Sequence, residues 1–169
     1  MEDPKELANT LLTRAQQADV TVVVAESCTA GLMSQVLADA EGASQYFHGG
    51  FVTYTKEQKT RALGVSASVL REQGAVNADI ERAMAEGALA RSSAGISAAI
   101  TGVAGPEPDE DGNPVGRICM AVAVRGRPAR CFERNYGDAG RDAIRKRAVA
   151  DALKAMTEAL ASASAHERV

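Results

Sequence analysis

A chain of 169 residues makes one domain and buries roughly 70% of the surface its unfolded form exposes, so it folds without a metal or disulfide staple. Its 46% apolar and 24% charged residues are ordinary for a globular protein and exclude wholesale disorder, while 33 alanines favour helix. A net charge of −3, aromatics at 4% and the absence of Trp exclude a general phosphate-backbone binder and a stacking platform for single strands, so no nucleic-acid partner is expected.

Asp3-Pro4-Lys5-Glu6 reads as a helix start, with Asp3 as cap and Pro4 at the first helical position. Leu7, Ala8, Leu11, Leu12 and Ala15 continue it as one apolar stripe. Val20 to Ala25 is a continuous, largely β-branched run, the pattern of a strand buried on both faces in a parallel sheet. A second helix, with Leu32, Met33, Val36, Leu37 and Ala40, opens just after Ser27-Cys28-Thr29. Gly49-Gly50 precedes a short strand, Phe51 to Tyr54. A polar helix from about Lys56 to Leu63 follows, then one from Ser66 to Gln73 that Gly74 stops. Asn77 caps a longer helix carrying Ile80, Ala83, Met84 and Leu89. Ile96 to Thr101 is the third strand, residues 102–116 a loop rich in Gly, Pro and acids, and Ile118 to Val124 the fourth strand. After a turn at Gly126, Ala129 to Tyr136 returns as its hairpin partner. Asp138 is the expected cap of the last helix, on which Ile144, Ala148, Ala152, Met156 and Leu160 share a face. One domain is expected over residues 1–161, with 162–169 a flexible tail.

Strands one to three are separated by helices and should run parallel through right-handed crossovers. A loop without a helix joins strand three to four, and a hairpin joins four to five, so strand four should be antiparallel to its neighbours. The expected fold is therefore α/β: three layers, α/β/α, around a mixed five-stranded sheet. Ligands of such sheets bind outside the carboxyl ends of the parallel strands. Three segments converge there: 25–31, 54–59 and 101–106.

The first, Ala25-Glu26-Ser27-Cys28-Thr29-Ala30-Gly31, is a small-residue turn from a buried strand into a helix. Such a turn points free N–H groups and the helix dipole at a ligand. Ser27 there fits a nucleophile with the N–H groups of Thr29, Ala30 and Gly31 as its oxyanion hole; from this segment alone, a plain helix cap by Ser27 or Thr29 is the commoner role. A serine nucleophile needs a base. His48 is the only interior histidine, in what reads as an access loop, and no acid at a telling spacing orients it. A lysine serves if burial or nearby positive charge lowers its pKa, and Lys56 and Lys59 both follow the second strand, which Tyr54 ends. The third segment, with Thr101, Gly102, Ala104 and Gly105, leaves more backbone N–H groups for a ligand, without a Walker or Rossmann fingerprint. Arg141 and Arg145 stack one turn apart at the start of the last helix and suit a phosphate monoester or a solvated basic patch. Cys28, Cys119 and Cys131 form no CxxC and have no histidine at ligand spacing, so neither a disulfide framework nor a zinc site is expected. The acidic N-terminus is no signal peptide, and no apolar run approaches the roughly 18 residues of a membrane span. A cytoplasmic protein without a membrane partner is the expectation.

AESCTAG, GGFVTYTKEQK, LGV, GAV and AITGVAGP…PVG occur in that order. As a set, from about Lys5 to Ala161, they resemble the C-terminal domain of the CinA competence/damage-inducible family, which also exists as a stand-alone nicotinamide-nucleotide amidohydrolase. The resemblance implies an α/β/α domain and conversion of nicotinamide mononucleotide to nicotinate mononucleotide and ammonia, without metal or cofactor. It implies Ser27 as nucleophile with Tyr54 and Lys59 as catalytic partners, and a homo-oligomer. A non-catalytic nucleotide-binding or regulatory module of the same family is the alternative. Two positions depart from the family pattern. The second-last residue of its SCTGG motif is Ala30 here, and the glycine-rich stretch after AGP is the acidic run Glu107-Pro108-Asp109-Glu110-Asp111. A negative loop disfavours a phosphorylated substrate unless it points outward.

Overall fold

Strand β1 (Val22–Glu26) is buried at all five positions, as an unbroken apolar run requires. A computed structural model describes residues 1–166. In it β1 pairs in parallel with β2 (Phe47–Val52) on one side and β3 (Ile96–Gly102) on the other. Strand β4 (Arg117–Val124) is antiparallel to β3, and β5 (Arg130–Asn135) is antiparallel to β4. The order is β2-β1-β3-β4-β5, so β4 alone runs against the rest. The mixed five-stranded sheet and three-layer α/β/α fold expected from the sequence are those observed.

Helices α1 (Pro4–Ala18), α2 (Leu32–Ala38) and α7 (Arg141–His166) cover one face of the sheet. Their Leu11, Leu12, Met33, Leu37, Ile144 and Leu153 pack on Val22, Val24, Ile96, Ile100, Ile118 and Met120. Each such large side chain contributes roughly 1.5–3 kcal/mol when buried. The short α3 (Ala43–Tyr46) leads into β2. Helices α4 (Lys56–Leu63), α5 (Ala67–Gln73) and α6 (Ala78–Ala90) cover the opposite face. There the alternate strand positions are smaller: Val23, Ala25, Ala99, Ala121 and Ala123. Short side chains let α6 lie close to the sheet, and Ser97 Oγ donates to the Ala85 carbonyl at 2.7 Å. Asp3, Thr55, Ser66 and Asn77 cap α1, α4, α5 and α6 through their side chains.

The structure corrects four details. Strand β2 begins at Phe47, ahead of the glycines, and ends at Val52. The glycines belong inside it: Gly49 has φ 152° beside a register shift, and a Cβ on Gly50 would meet Ser34 Oγ. His48 therefore lies exposed on an edge strand, not in an access loop. Asp138 does not cap α7, because Gly137 and Gly140 hold φ at 63° and 87° and keep the backbone out of the helical region until Arg141. Helix α7 also continues to His166, past the predicted tail start at Ser162; residues 167–169 lie outside the described residues. No described helix is long and apolar enough to cross a membrane.

Candidate active site

From β1 the chain runs through α2 and α3 to β2 at one edge, then crosses by α4, α5 and α6 to β3 on the other side. That reversal opens a crevice outside the carboxyl ends of β1 and β3. A cavity of about 660 Å³ occupies it. Its floor is Ser27 and Cys28 after β1, Lys59 on α4, and Thr101, Gly102, Ala104 and Gly105 at the end of β3.

Ser27 is 6% exposed, and its own N–H donates to the Ile100 carbonyl at 2.9 Å, which pins the turn between the two strands. Thr55 caps α4 and sets its first turn, and Lys59, one turn in, points back under the end of β2. Lys59 Nζ lies 2.8 Å from Ser27 Oγ, 2.8 Å from the Thr53 carbonyl and 3.3 Å from the Tyr54 carbonyl. Its side chain is only 1% exposed. Burial lowers its pKa to about 8, and the charge of Lys56 pushes the same way while Glu81 and Cys28 oppose. A neutral amine has two N–H donors and one lone pair. Nζ is placed as donor to all three oxygens; once the amine is neutral, its two donors fit the Thr53 and Tyr54 carbonyls and its lone pair is left for the Ser27 hydroxyl.

Tyr54 contributes its carbonyl to this cluster, accepting from Lys59 and from Ser27 Oγ at 3.4 Å, while its side chain is 60% exposed at the cavity mouth. Lys56 is also at the mouth, not in open solvent: its Nζ is 2.9 Å from Glu110 and 3.0 Å from Asp111. Those carboxylates raise its pKa. Glu107, Asp109, Glu110 and Asp111 all line the cavity, so the acidic loop faces inward. Arg141 also lines it, with Nε and Nη2 2.9 and 2.6 Å from the Gly105 carbonyl. Arg145 does not join the lining; it donates Nε to the Cys28 carbonyl at 2.7 Å, bracing the turn from behind.

Thr29, Ala30 and Gly31 also lie outside the lining. The reason is Glu26, fully buried at the end of β1. Its carboxylate accepts from Thr29 Oγ1 at 2.8 Å, Met33 N at 2.8 Å, Ser34 N at 3.0 Å and Ser34 Oγ at 2.6 Å. The amino end of α2 thus holds an internal anion, and its dipole is not free for a ligand. Ala30 N–H closes the turn onto the Ser27 carbonyl at 3.0 Å. Ala30 has φ 49°, the left-handed region that favours glycine. The Cys28 N–H, on the cavity wall, has no backbone carbonyl partner among the described residues.

Two residues of this site escape sequence reasoning, and each carried a signal. Glu26 is a lone acid ending an apolar strand immediately before a helix. Glu81 sits three, four and seven residues before Met84, Ala85 and Ala88, inside the buried stripe of α6. Burial lifts its carboxyl well above the usual range. Among the described residues, no group of three or more His, Cys, Asp and Glu side chains is placed to hold a metal ion.

A three-layer α/β/α domain with a buried serine–lysine pair at the switch point of its sheet is the class of protein these observations define. The chain belongs to the CinA C-terminal domain family, whose pattern it matches over residues 4–160. It is similar to a CinA-like protein of Geobacter sulfurreducens, 46% identical over 127 residues that cover 75% of this chain and 30% of the relative. A CinA-like protein of Mycolicibacterium gilvum is 46% identical over 62% of this chain and 25% of its own length. The chain spans about a third of the length of the curated relatives it matches. Among solved structures, it is similar to the competence/damage inducible protein CihA of Agrobacterium tumefaciens, with a TM-score of 0.89 and 39% identity over 95% of this chain and 96% of that one. A CinA superfamily protein of Escherichia coli aligns with a TM-score of 0.86 and 32% identity over 90% and 87%.

Proposed function

We propose that this chain is an amidohydrolase that converts nicotinamide mononucleotide to nicotinate mononucleotide and ammonia. The observation that carries the reading is the 2.8 Å contact between a buried lysine and a buried serine on the cavity floor. Neutral Lys59 accepts the Ser27 proton as Ser27 Oγ attacks the carboxamide carbon. The developing oxyanion takes the Cys28 N–H, with the Ala104 and Gly105 N–H groups on the facing wall. Protonated Lys59 then gives its proton to the leaving nitrogen, ammonia departs and a nicotinoyl ester, still carrying its ribosyl 5′-phosphate, remains on Ser27. Water attacks that ester, with Lys59 taking its proton, and Ser27 leaves protonated. Tyr54 acts through its carbonyl, which orients Lys59, and its exposed ring suits the face of the pyridinium at the mouth. Arg141 is the rim cation for the phosphate.

Ammonia release from nicotinamide mononucleotide, with Ser27→Ala beside the wild type, tests this. The expected result is turnover by the wild type, none by the variant, and an acid-quenched nicotinoyl adduct on the peptide containing Ser27. A wild-type protein that binds the nucleotide without releasing ammonia would instead be a binding module. A Ser27→Ala protein with near-wild-type turnover would remove the covalent mechanism.

A further inference from the structure

The turn after β1 satisfies most of its carbonyls locally. The Ser27 carbonyl accepts from Ala30 N–H at 3.0 Å, the Thr29 carbonyl from Leu32 N–H at 2.9 Å and the Gly31 carbonyl from Gln35 N–H at 2.9 Å. The Cys28 carbonyl is the exception, because no backbone N–H among the described residues reaches it. Cys28 is only 5% exposed, and a buried carbonyl needs a partner. Arg145 supplies one, with Nε at 2.7 Å, from 117 residues further along the chain. A guanidinium donor makes this a charge-assisted bond, stronger than a neutral one.

Arg145 is held on a fixed base. Its helix neighbours Ile144 and Ala148 are fully buried in the core. Asp142, the nearest acid on α7, pairs with Lys146 at 2.8 Å. One turn before Arg145, Arg141 holds the Gly105 carbonyl at 2.9 and 2.6 Å. Two successive turns of α7 thus grip one carbonyl on each of the two loops that carry the proposed oxyanion donors, Cys28 after β1 and Gly105 after β3. Arg145 itself lies outside the cavity lining, so its contact is with backbone and not with a ligand there.

We propose that Arg145 is a positioning residue for the oxyanion hole: its bond to the Cys28 carbonyl fixes the Cys28 backbone with its N–H turned to the cavity. The inference rests on Ser27 as the nucleophile of the proposed reaction. The Ser27 N–H, tied to the Ile100 carbonyl at 2.9 Å, pins the chain before Cys28; Arg145 pins it after. Without Arg145 the Cys28 backbone can rotate, and its N–H no longer meets the oxygen on which charge develops. A contact made mainly in the transition state shows in kcat and not in KM.

The test compares the full-length wild type with Arg145→Ala and Arg145→Lys by two rates. One is ammonia release from nicotinamide mononucleotide and from its riboside. The other is phosphonylation of Ser27 by a small fluorophosphonate, whose phosphonyl oxygen takes the place of the oxyanion. In both variants kcat and the phosphonylation rate are expected to fall roughly 10- to 100-fold, with KM for either substrate held within about twofold. Lysine should not substitute, having the charge without the planar fork. Methylguanidinium should restore part of both rates in Arg145→Ala and leave the wild type unchanged. Unmoved rates, a loss that methylguanidinium does not restore, or a KM raised for the nucleotide alone, which would make Arg145 a phosphate ligand, overturns the proposal. If Arg145→Ala does not fold, Arg145→Lys decides by the same two rates. Slowed phosphonylation in proteins that release no ammonia upholds the role of Arg145 and refutes the substrate instead. A wild type that neither releases ammonia nor takes the phosphonate overturns both.

Discussion

The rate of ammonia release should follow the deprotonation of Lys59. Burial lowers the Lys59 pKa from 10.5 to about 8. At pH 7 a group of pKa 8 is neutral in roughly one molecule in eleven, against about one in 3,000 at 10.5. Burial thus enlarges the reactive fraction roughly 300-fold, equivalent to about 3 kcal/mol. The expected profile of kcat/KM climbs about tenfold per pH unit below 8 and levels above it. Lys59→Arg keeps the charge but cannot give up its proton, so it should lose about 10³-fold at every pH from 6 to 9. The same burial weakens folding. Below pH 8 Lys59 is charged in both states, and the folded state bears the whole penalty. As pH climbs from 8 to 10.5 the folded state has already released its proton, so this penalty fades and stability rises. Lys59→Met, with no charge to bury, should therefore be inactive yet have a higher thermal midpoint at pH 7. A wild-type rate flat between pH 6 and 9, or Lys59→Arg retaining more than a tenth of the activity, would refute the reasoning.

Arg141→Ala should raise KM for nicotinamide mononucleotide roughly tenfold and leave the dephosphorylated riboside nearly unchanged; an equal loss for both would detach Arg141 from the phosphate. Glu26→Gln leaves an amide NH₂ facing the donors of α2, so urea unfolding should record a loss of about 3 kcal/mol, and an unchanged midpoint would mean the four hydrogen bonds to Glu26 carry little.

The layers were legible because burial leaves a period in the sequence. The unbroken run at Val22–Ala25 marks a strand covered on both faces, and the caps Asp3 and Asn77 announce their helices. Glycine was less readable. Gly49-Gly50 looks like punctuation, yet Gly50 lies inside β2 because Ser34 leaves no space for a Cβ. The elements that bring Ser27 and Lys59 together were visible, as two strand ends with a polar helix opening near Lys56. Glu26 and Glu81 were not. Local pattern describes a residue's own segment, whereas the partners of Glu26 lie up to eight residues on and Lys59 lies 22 residues before Glu81.

Glu26 also changes where the site finds its positive potential. The amino end of a helix after a buried strand is the ordinary place for a substrate anion, but in α2 the protein's own carboxylate fills it. On the proposed reading, the oxyanion must then rely on single N–H groups at Cys28, Ala104 and Gly105, and the phosphate on Arg141 at a mouth that carries Glu107, Asp109, Glu110 and Asp111. Lys56 offsets two of those carboxylates through its ion pairs. The site therefore keeps its helix dipole for architecture, bracing the turn that carries Ser27, and the proposed reading puts anion recognition at the rim and proton transfer on the floor. On that reading burial sets the Lys59 pKa without holding the phosphate, because the group proposed to be dry and the group proposed to meet an anion are different residues.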